Sequence, residues 1–350
     1  MAQVLHDAPA GRVLPVASRG EDHTPMNTSH VPRVTEQAVL AVLSGRAVAD
    51  TAARSGIDPD ELGDAVVLYR TAGAGALADQ VARRDWHQAR IEFADFGRAE
   101  DTAAASLAPR LRMLEEAGLL GAWWFIRKAP CWRLRLLPAP DADPAHLHRA
   151  VHDLLGALVE SREILRWWPT VYEPEVIAFG GPDGIAAAHR LFHADSRHLL
   201  DRTRHVPGLG RRELSVLLCT VLLGSAGLEW FEQGDVWDRV AGMRPLPDDI
   251  TAEQLGRTGA GLRRLLTLDT RPLTPAGGTL EPLSPWLTAF ADAGRAIATA
   301  ARHGTLRRGP REVLAHHVIF HWNRHGLTPR TQATLAAAAR TVILAPATHR

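Results

Sequence analysis

Cysteine is nearly missing from this chain: Cys131 and Cys219 are the only two in 350 residues. Two isolated thiols cannot make the paired spacings of a disulfide framework or of a cysteine zinc site, and they fit a reducing cytoplasm. Lysine is scarcer, Lys128 being the only one among 40 basic residues. With abundant alanine, this arginine bias reads as the mark of a GC-rich genome rather than of function. Net charge is also small, at +1. No overall field draws the chain to nucleic acid or to an anionic membrane, so a charged ligand must be met by a local cluster. Long apolar runs are missing too. The stretch 214–228 is broken by Ser215, Cys219, Thr220 and two glycines and is too short for a bilayer. The N-terminus lacks the continuous apolar segment of a secretory signal, and cytoplasmic localisation is expected.

Familiar catalytic signatures are absent as well. There is no GxSxG elbow, and GGPDG at 180–184 lacks the lysine and hydroxyl of a P-loop. No HExxH motif accompanies the many histidines. No metal or cofactor is therefore expected.

What remains is a globular composition, 46% apolar, long enough for one large domain or two modest ones. Residues 1–33 are rich in Gly, Pro, Ser, His and Asp without apolar period and read as a flexible tail. Residues 34–83 read as an N-terminal helical module of short helices separated by Gly45 and Gly56. There Asp58 is placed to cap a helix whose first residue is Pro59, the outline of a helix-turn-helix. Its second helix opens with Asp58, Asp60, Glu61 and Asp64 and carries Arg70 only near its end, which suits packing or peptide docking better than DNA. A glycine-rich joint at 72–76 and a short helix complete the module.

From residue 84 onward the period changes. Alternation at 86–93 and 123–127 predicts strands, with a helix over 101–117 between them. A turn at Ala129 and Pro130 returns the chain as a partner strand over 132–136. A long helix is expected over 145–168, followed by helices near 185–203, 210–227 and 230–242. A polar region runs to about 283, and helices over 284–304, 310–324 and 328–343 close the chain. The fold class is α+β, mostly helical with a small antiparallel sheet, plus the N-terminal helical module.

Two constellations carry chemistry. Arg127, Arg133 and Arg135 lie within nine residues among tryptophans. Three guanidinium groups on one hairpin could clamp a carboxylate or phosphate, or Arg133 and Arg135 could form a solvated face. The second is the helix at 311–325, which carries His316, His317, His321 and His325 with Asn323 and Arg324. Helical spacing puts His317, His321 and Arg324 on one inward side. Histidines four apart can share a metal, but no third ligand is evident. His316 and His317 read as core, whereas His321 suits acid/base work because imidazole titrates near neutrality.

Several stretches together resemble the thiopeptide-type bacteriocin biosynthesis proteins, stand-alone relatives of the C-terminal elimination domain of class I lanthipeptide dehydratases. They are WHQARIEF at 86–93, WFIR ending at Arg127, the Arg133 and Arg135 pair, YEPE from Tyr172 to Glu175, and FGG at 179–181. AHRLFHADS at 188–196, RELS at 212–215 and FHWNR at 320–324 complete the set. The resemblance covers residues 84–350.

It implies removal of glutamate from glutamylated Ser or Thr of a ribosomal precursor peptide, giving dehydroalanine or dehydrobutyrine. By the same resemblance Arg127 holds glutamate and His321 handles the proton, as base or acid. Tyr172, Glu175, Asn323, Arg324, Arg133 and Arg135 would contact substrate, and no cofactor is required. The implied partners are a precursor peptide with its leader and a glutamyl-tRNA-dependent dehydratase, with no direct nucleic acid or membrane. A homodimer is among the assemblies left open. The family pattern commonly has arginines where this chain has Pro174 and Ala178, which leaves Arg133, Arg135 or Arg324 to supply the second cation. Two other functions are compatible with the same residues. One is pyridine synthesis, a formal aza-[4+2] cycloaddition of two dehydroalanines with leader release. The other is a non-catalytic peptide scaffold, resting on the acidic N-terminal helices and the lack of a metal or nucleotide motif.

Overall fold

The structure is a computed structural model that describes residues 31–201 and 206–344. The expected tail over 1–33 lies outside them except for 31–33, which belong to the first helix rather than to a tail. The chain divides into two units, Met1–Gly73 and Ala74–Arg350.

In the first unit α1 (Val31–Leu43), α2 (Val48–Ser55) and the start of α3 (Pro59–Asp85) bury Ala38, Val39, Ala52, Leu62 and Val66 together. Gly56 ends α2 in the left-handed conformation. Asp58 then accepts hydrogen bonds from the backbone N–H groups of Asp60 and Glu61, at 2.9 and 3.2 Å, starting α3. The boundary between the two units falls inside the glycine-rich stretch at 72–76, but the chain does not break there, because α3 runs through it as one helix. Interior glycine weakens a helix by only about 1 kcal/mol.

The second unit is built on one antiparallel sheet of order β2-β3-β1-β4. Its strands are β1 (His87–Phe93), β2 (Leu120–Lys128), β3 (Cys131–Pro138) and β4 (Ile164–Thr170). One face carries Ile91, Trp123, Phe125, Trp132 and Leu134. It is covered by α4 (Ala99–Thr102), a π-helical turn (Ala103–Leu107), α5 (Ala108–Glu116) and α6 (Pro144–Glu160). The other face carries Trp124 and Ile126 and packs against Phe179, Ile185, Ala188 and Phe192.

The helix expected over 145–168 is two elements. The chain leaves α6 at Ser161 and turns through Arg162 at φ 60°, and the aromatic stretch that follows pairs with β1 as the edge strand β4. Leu165 and Arg166 point to solvent on this edge, so no clean alternation marked it. Pro169 is tolerated there because an edge strand can lack an N–H.

The remaining helices are α7 (Pro182–Leu200), α8 (Arg211–Ser225), α9 (Trp230–Met243), α10 (Ala252–Leu266), α11 (Ser284–Arg302), α12 (Pro310–His325) and α13 (Pro329–Leu344). They share a core that includes Leu218, Trp237, Phe290, Val318 and Trp322. Helix α10 lies in the region expected to be irregular. Thr251 and Gln254 form its capping box, while Gly256, Gly259 and Gly261 lower its helix propensity. At Gly259 the packing is close, since a Cβ there would stand 3.0 Å from a methyl of Val342 on α13.

Helix α12 is buried on nearly every side, with Val313, Leu314, His317, Val318, His321, Trp322, Arg324 and His325 all enclosed. It packs against α7, α8, α9 and β2. Polar side chains on such a helix must find partners within the protein.

Candidate functional site

The partner of α12 is Asp195, on the apolar stripe of α7 together with Leu191 and Phe192. Its Oδ2 accepts from Nδ1 of His321 at 2.9 Å and from Nε of Arg324 at 2.7 Å, and its Oδ1 accepts from the indole of Trp286 at 3.0 Å. Asp195, His321 and Arg324 are wholly inaccessible to solvent. Burial pushes the Asp195 carboxyl upward, but His321 and Arg324 outweigh it and hold the group well below the usual carboxylate range. Burial lowers the pKa of Arg324, and Asp195 opposes that shift. The guanidinium of Arg324 also lies over the ring of Phe192, 4.3 Å from its centroid. Nε2 of His321 and both Nη atoms of Arg324 are buried without a hydrogen-bond partner.

His325 continues this network. Its ring centroid is 4.1 Å from that of His321, and its Nε2 is 4.0 Å from Oδ1 of Asp195. Burial, and then the neighbouring His321, pushes its pKa well below the ordinary histidine value, so the ring is neutral at neutral pH.

A second cluster closes the C-terminal end of α12. Arg127 Nε donates to the carbonyl of Arg324 at 2.6 Å, and Arg211 Nη1 donates to the carbonyl of His325 at 2.8 Å. These are carbonyls that a helix end leaves without intrahelical partners, and cations suit that end of the helix dipole. Between the two arginines sits the carboxylate of Glu100, from α4. Arg211 contacts both of its oxygens, at 2.8 Å to Oε2 and 2.5 Å to Oε1, and Arg127 contacts Oε2. Burial raises the Glu100 pKa, but Arg211 and Arg127 more than offset it and hold the carboxyl below its ordinary value. Arg127 also stacks over Trp132, 4.8 Å from the ring centroid. Gly326, at φ 67°, lets the chain leave α12 beside it.

The remaining expected site residues lie elsewhere, and the three hairpin arginines do not converge. Strand register sets Arg135 opposite Trp124 and Arg133 opposite Ile126, on the sheet face away from Arg127. Arg135 is buried, donates to Gln88 Oε1 at 2.8 Å and lies between Trp124 and Tyr172. Burial lowers its pKa to about 10. The hydroxyl of Tyr172 bonds Nε2 of His189 at 2.8 Å, and Glu175 is exposed. Arg133 is half-buried. Asn323 turns away from His321 and accepts from Gln332 at 3.1 Å. His317 bonds the Val313 carbonyl at 2.9 Å and packs on Phe179, and His316 bonds the Glu312 carbonyl at 2.9 Å.

Four members of these clusters escaped sequence reasoning in their present roles: Asp195, His325, Glu100 and Arg211. Asp195 was detectable as an acid on the apolar stripe of an amphipathic helix, and His325 by its spacing from His321. Glu100 and Arg211 carried no local signal.

Among the described residues one group has metal-site dimensions. Asp195, His321 and His325 offer ligand atoms within 4.8 Å of one another. The fit is poor, because both Asp195 oxygens already accept hydrogen bonds and a divalent ion would stand beside the guanidinium of Arg324. No helix of the described residues is long and apolar enough to cross a membrane.

Comparison with known proteins adds a family. Residues 86–343 match the family model described as lantibiotic biosynthesis dehydratase C-term. No curated protein matches the sequence. Among solved structures, the tRNA-dependent lantibiotic dehydratase MibB from Microbispora sp. 107891 is similar, with TM-score 0.55 and 19% identity. The match covers 74% of this chain and 28% of MibB, so the chain spans little more than a quarter of that protein. TsrL matches with TM-score 0.51 and 16% identity, over 73% of this chain and 93% of its own. The pyridine synthase TbtD from thiomuracin biosynthesis matches with TM-score 0.55 and 13% identity, over 74% of this chain and 98% of its own. At these identities the likeness shows the fold.

Proposed function

Because the chain belongs to the lantibiotic biosynthesis dehydratase C-terminal family, we propose that it eliminates glutamate from glutamylated Ser or Thr of a ribosomal precursor peptide. One observation carries this reading. Arg127, already engaged with a glutamate carboxylate, is anchored to the carbonyl of Arg324, three residues beyond His321 on the same helix. A carboxylate-binding cation and a proton-handling imidazole are thereby tied to one helix end.

In the reaction a base takes the α proton of the esterified residue and the Cβ–O bond breaks. The Cα=Cβ double bond forms, and glutamate departs as a carboxylate. The ionised Asp195 can only accept, so Nδ1 of His321 carries a proton, and in the neutral imidazole the lone pair lies on Nε2. His321 acts as the base through that atom, with Asp195 fixing its tautomer and orientation. Arg127 holds a glutamate carboxylate by charge-assisted hydrogen bonds.

The pyridine synthase reading is favoured by a different observation. Pro174 and Ala178 stand where the family pattern has arginines, and Phe179 beside Ala178 is fully buried against Phe192 and Phe320. Neither position therefore supplies a cation for free glutamate.

Incubation with a glutamylated precursor, followed by mass spectrometry, separates the readings. Elimination predicts loss of the glutamyl mass, and an unchanged mass counts against it. A dehydrated precursor that yields a macrocycle and free leader would establish cycloaddition instead. Leader binding without either reaction would leave the scaffold.

A further inference from the structure

We propose that Arg127 and Arg211 form a two-armed carboxylate seat whose resident ligand is Glu100, and that a substrate carboxylate enters by displacing that side chain. The proposal rests on the elimination reading for the identity of the incoming group.

Both arginines are positioned without help from Glu100. Arg127 is fixed by the Arg324 carbonyl and the face of Trp132, and Arg211 by the His325 carbonyl. Removing the Glu100 carboxylate would leave two aimed guanidinium groups facing one empty oxyanion position. Arg211 engages both oxygens of Glu100 while Arg127 takes one, which is how a forked donor recognises a free carboxylate.

Exchange conserves charge. Two cations hold one anion now, and they would still hold one after a substrate carboxylate replaced Glu100. No extra charge is buried by the swap, so the usual desolvation penalty is small. The glutamyl ester presents a free carboxylate on a stem like that of Glu100.

The occupant can also leave. Glu100 lies on the four-residue α4, and a π-helical turn at Ala103–Leu107 interrupts the regular ladder directly after it. Its side chain retains 18% exposure and Arg211 retains 45%, so the seat opens toward solvent at that side. His321 and His325 are closed off from solvent in this state, and displacement of Glu100 is the step that would bring a substrate to the Arg127 side of His325. Arg211 also supplies the second cation missing at Ala178.

The test is isothermal titration of the full-length chain with glutarate, a dicarboxylate that cannot react. Glu100→Gln keeps the shape of the side chain but removes its charge. It is expected to bind glutarate about tenfold tighter than the wild type, about 1.4 kcal/mol. Adding Arg211→Gln to that variant should abolish the gain. Equal glutarate affinity in wild type and a folded Glu100→Gln would overturn the proposal, and so would a gain that survives Arg211→Gln. If Glu100→Gln fails to fold by circular dichroism, Glu100→Asp draws the carboxylate back by one methylene. It should then show a smaller gain in the same direction, and its absence would sink the idea. Failure of elimination is read separately: a seat that binds glutarate in a chain inert toward glutamylated peptide retires the reaction and keeps the seat. Turnover without any gain from Glu100→Gln retires the seat and keeps the reaction.

Discussion

Nδ1 of His321 and Oδ2 of Asp195 are 2.9 Å apart, both side chains fully enclosed, and they come from helices 126 residues apart in sequence. The same Asp195 oxygen also receives Arg324, so one carboxylate orients the imidazole and compensates a buried guanidinium. Asp195→Asn should therefore act twice. Loss of the negative charge leaves Arg324 uncompensated, at a cost of roughly 3–5 kcal/mol, and removes the constraint on the His321 tautomer. Urea unfolding is expected to show the lower stability. Mass-spectrometric rates should fall by about 100-fold or more even where the variant remains folded.

Acid should destabilise the chain well above the range where carboxylates titrate. Burial pushes the imidazole of His317 down to about 4, and burial followed by the charge of Arg135 pushes that of His189 down to about 3. Unfolded histidine titrates near ~6.5. The folded pKa is the lower one, so on acidification the unfolded chain binds protons first and stability falls with pH. The contribution is full above ~6.5 and declines through the window down to the folded values, by roughly 1.4 kcal/mol per pH unit for each such histidine. The depressed carboxyl of Asp195 adds its loss only below ~3.9. Urea midpoints at about pH 7 and about pH 5 test this, and equal unfolding free energies at the two would contradict it.

Much of this architecture is legible in the residues, and its failures have physical causes. The inward side of α12 followed from helical spacing, and the β2–β3 hairpin followed from alternation and the turn at Pro130. The arginine clamp did not survive, because alternation within each strand says nothing of register. Only pairing shows Arg133 opposite Ile126 and Arg135 opposite Trp124, across the sheet from Arg127. Edge strand β4 was hidden by its exposed Leu165 and Arg166, and α10 by its glycines. The partners of the expected site residues were the least readable. Nothing near Glu100 or Arg211 in sequence distinguishes them from the surface charges of any helix, and their meeting at the end of α12 is a property of the tertiary fold.

Gly326 separates backbone strain from site geometry. Its φ of 67° is left-handed, and an added Cβ would stand 3.0 Å from Nη1 of Arg127. Gly304 has a φ of 69° with nothing within 4 Å of its Cβ position. Both Gly326→Ala and Gly304→Ala should lose about 1 kcal/mol from the left-handed conformation alone. Only Gly326→Ala should also displace Arg127. Its turnover is expected to fall while that of Gly304→Ala stays at the wild-type level, and equal rates in the two variants would remove the Arg127 position from consideration.

Arg127→Lys tests whether geometry or charge matters at the proposed glutamate site. Arg127 makes two separate contacts, from Nε to the Arg324 carbonyl and from the guanidinium fork to Glu100. A lysine ammonium ends in a single point of charge and cannot span both, although the positive charge is kept. If Arg127 grips the departing glutamate, Arg127→Lys should lower the elimination rate by about 100-fold, beyond a stability loss of about 1–3 kcal/mol from the contact it gives up, and His321→Ala should reduce it at least as far. If the reaction is instead cycloaddition, free glutamate need not be held. His321→Ala should then still abolish product, while Arg127→Lys retains most of the wild-type rate. The pair of variants, assayed on glutamylated and on dehydrated precursor, thus distinguishes the two chemistries through the residues themselves. An undiminished rate for His321→Ala in both assays would exclude it from the reaction.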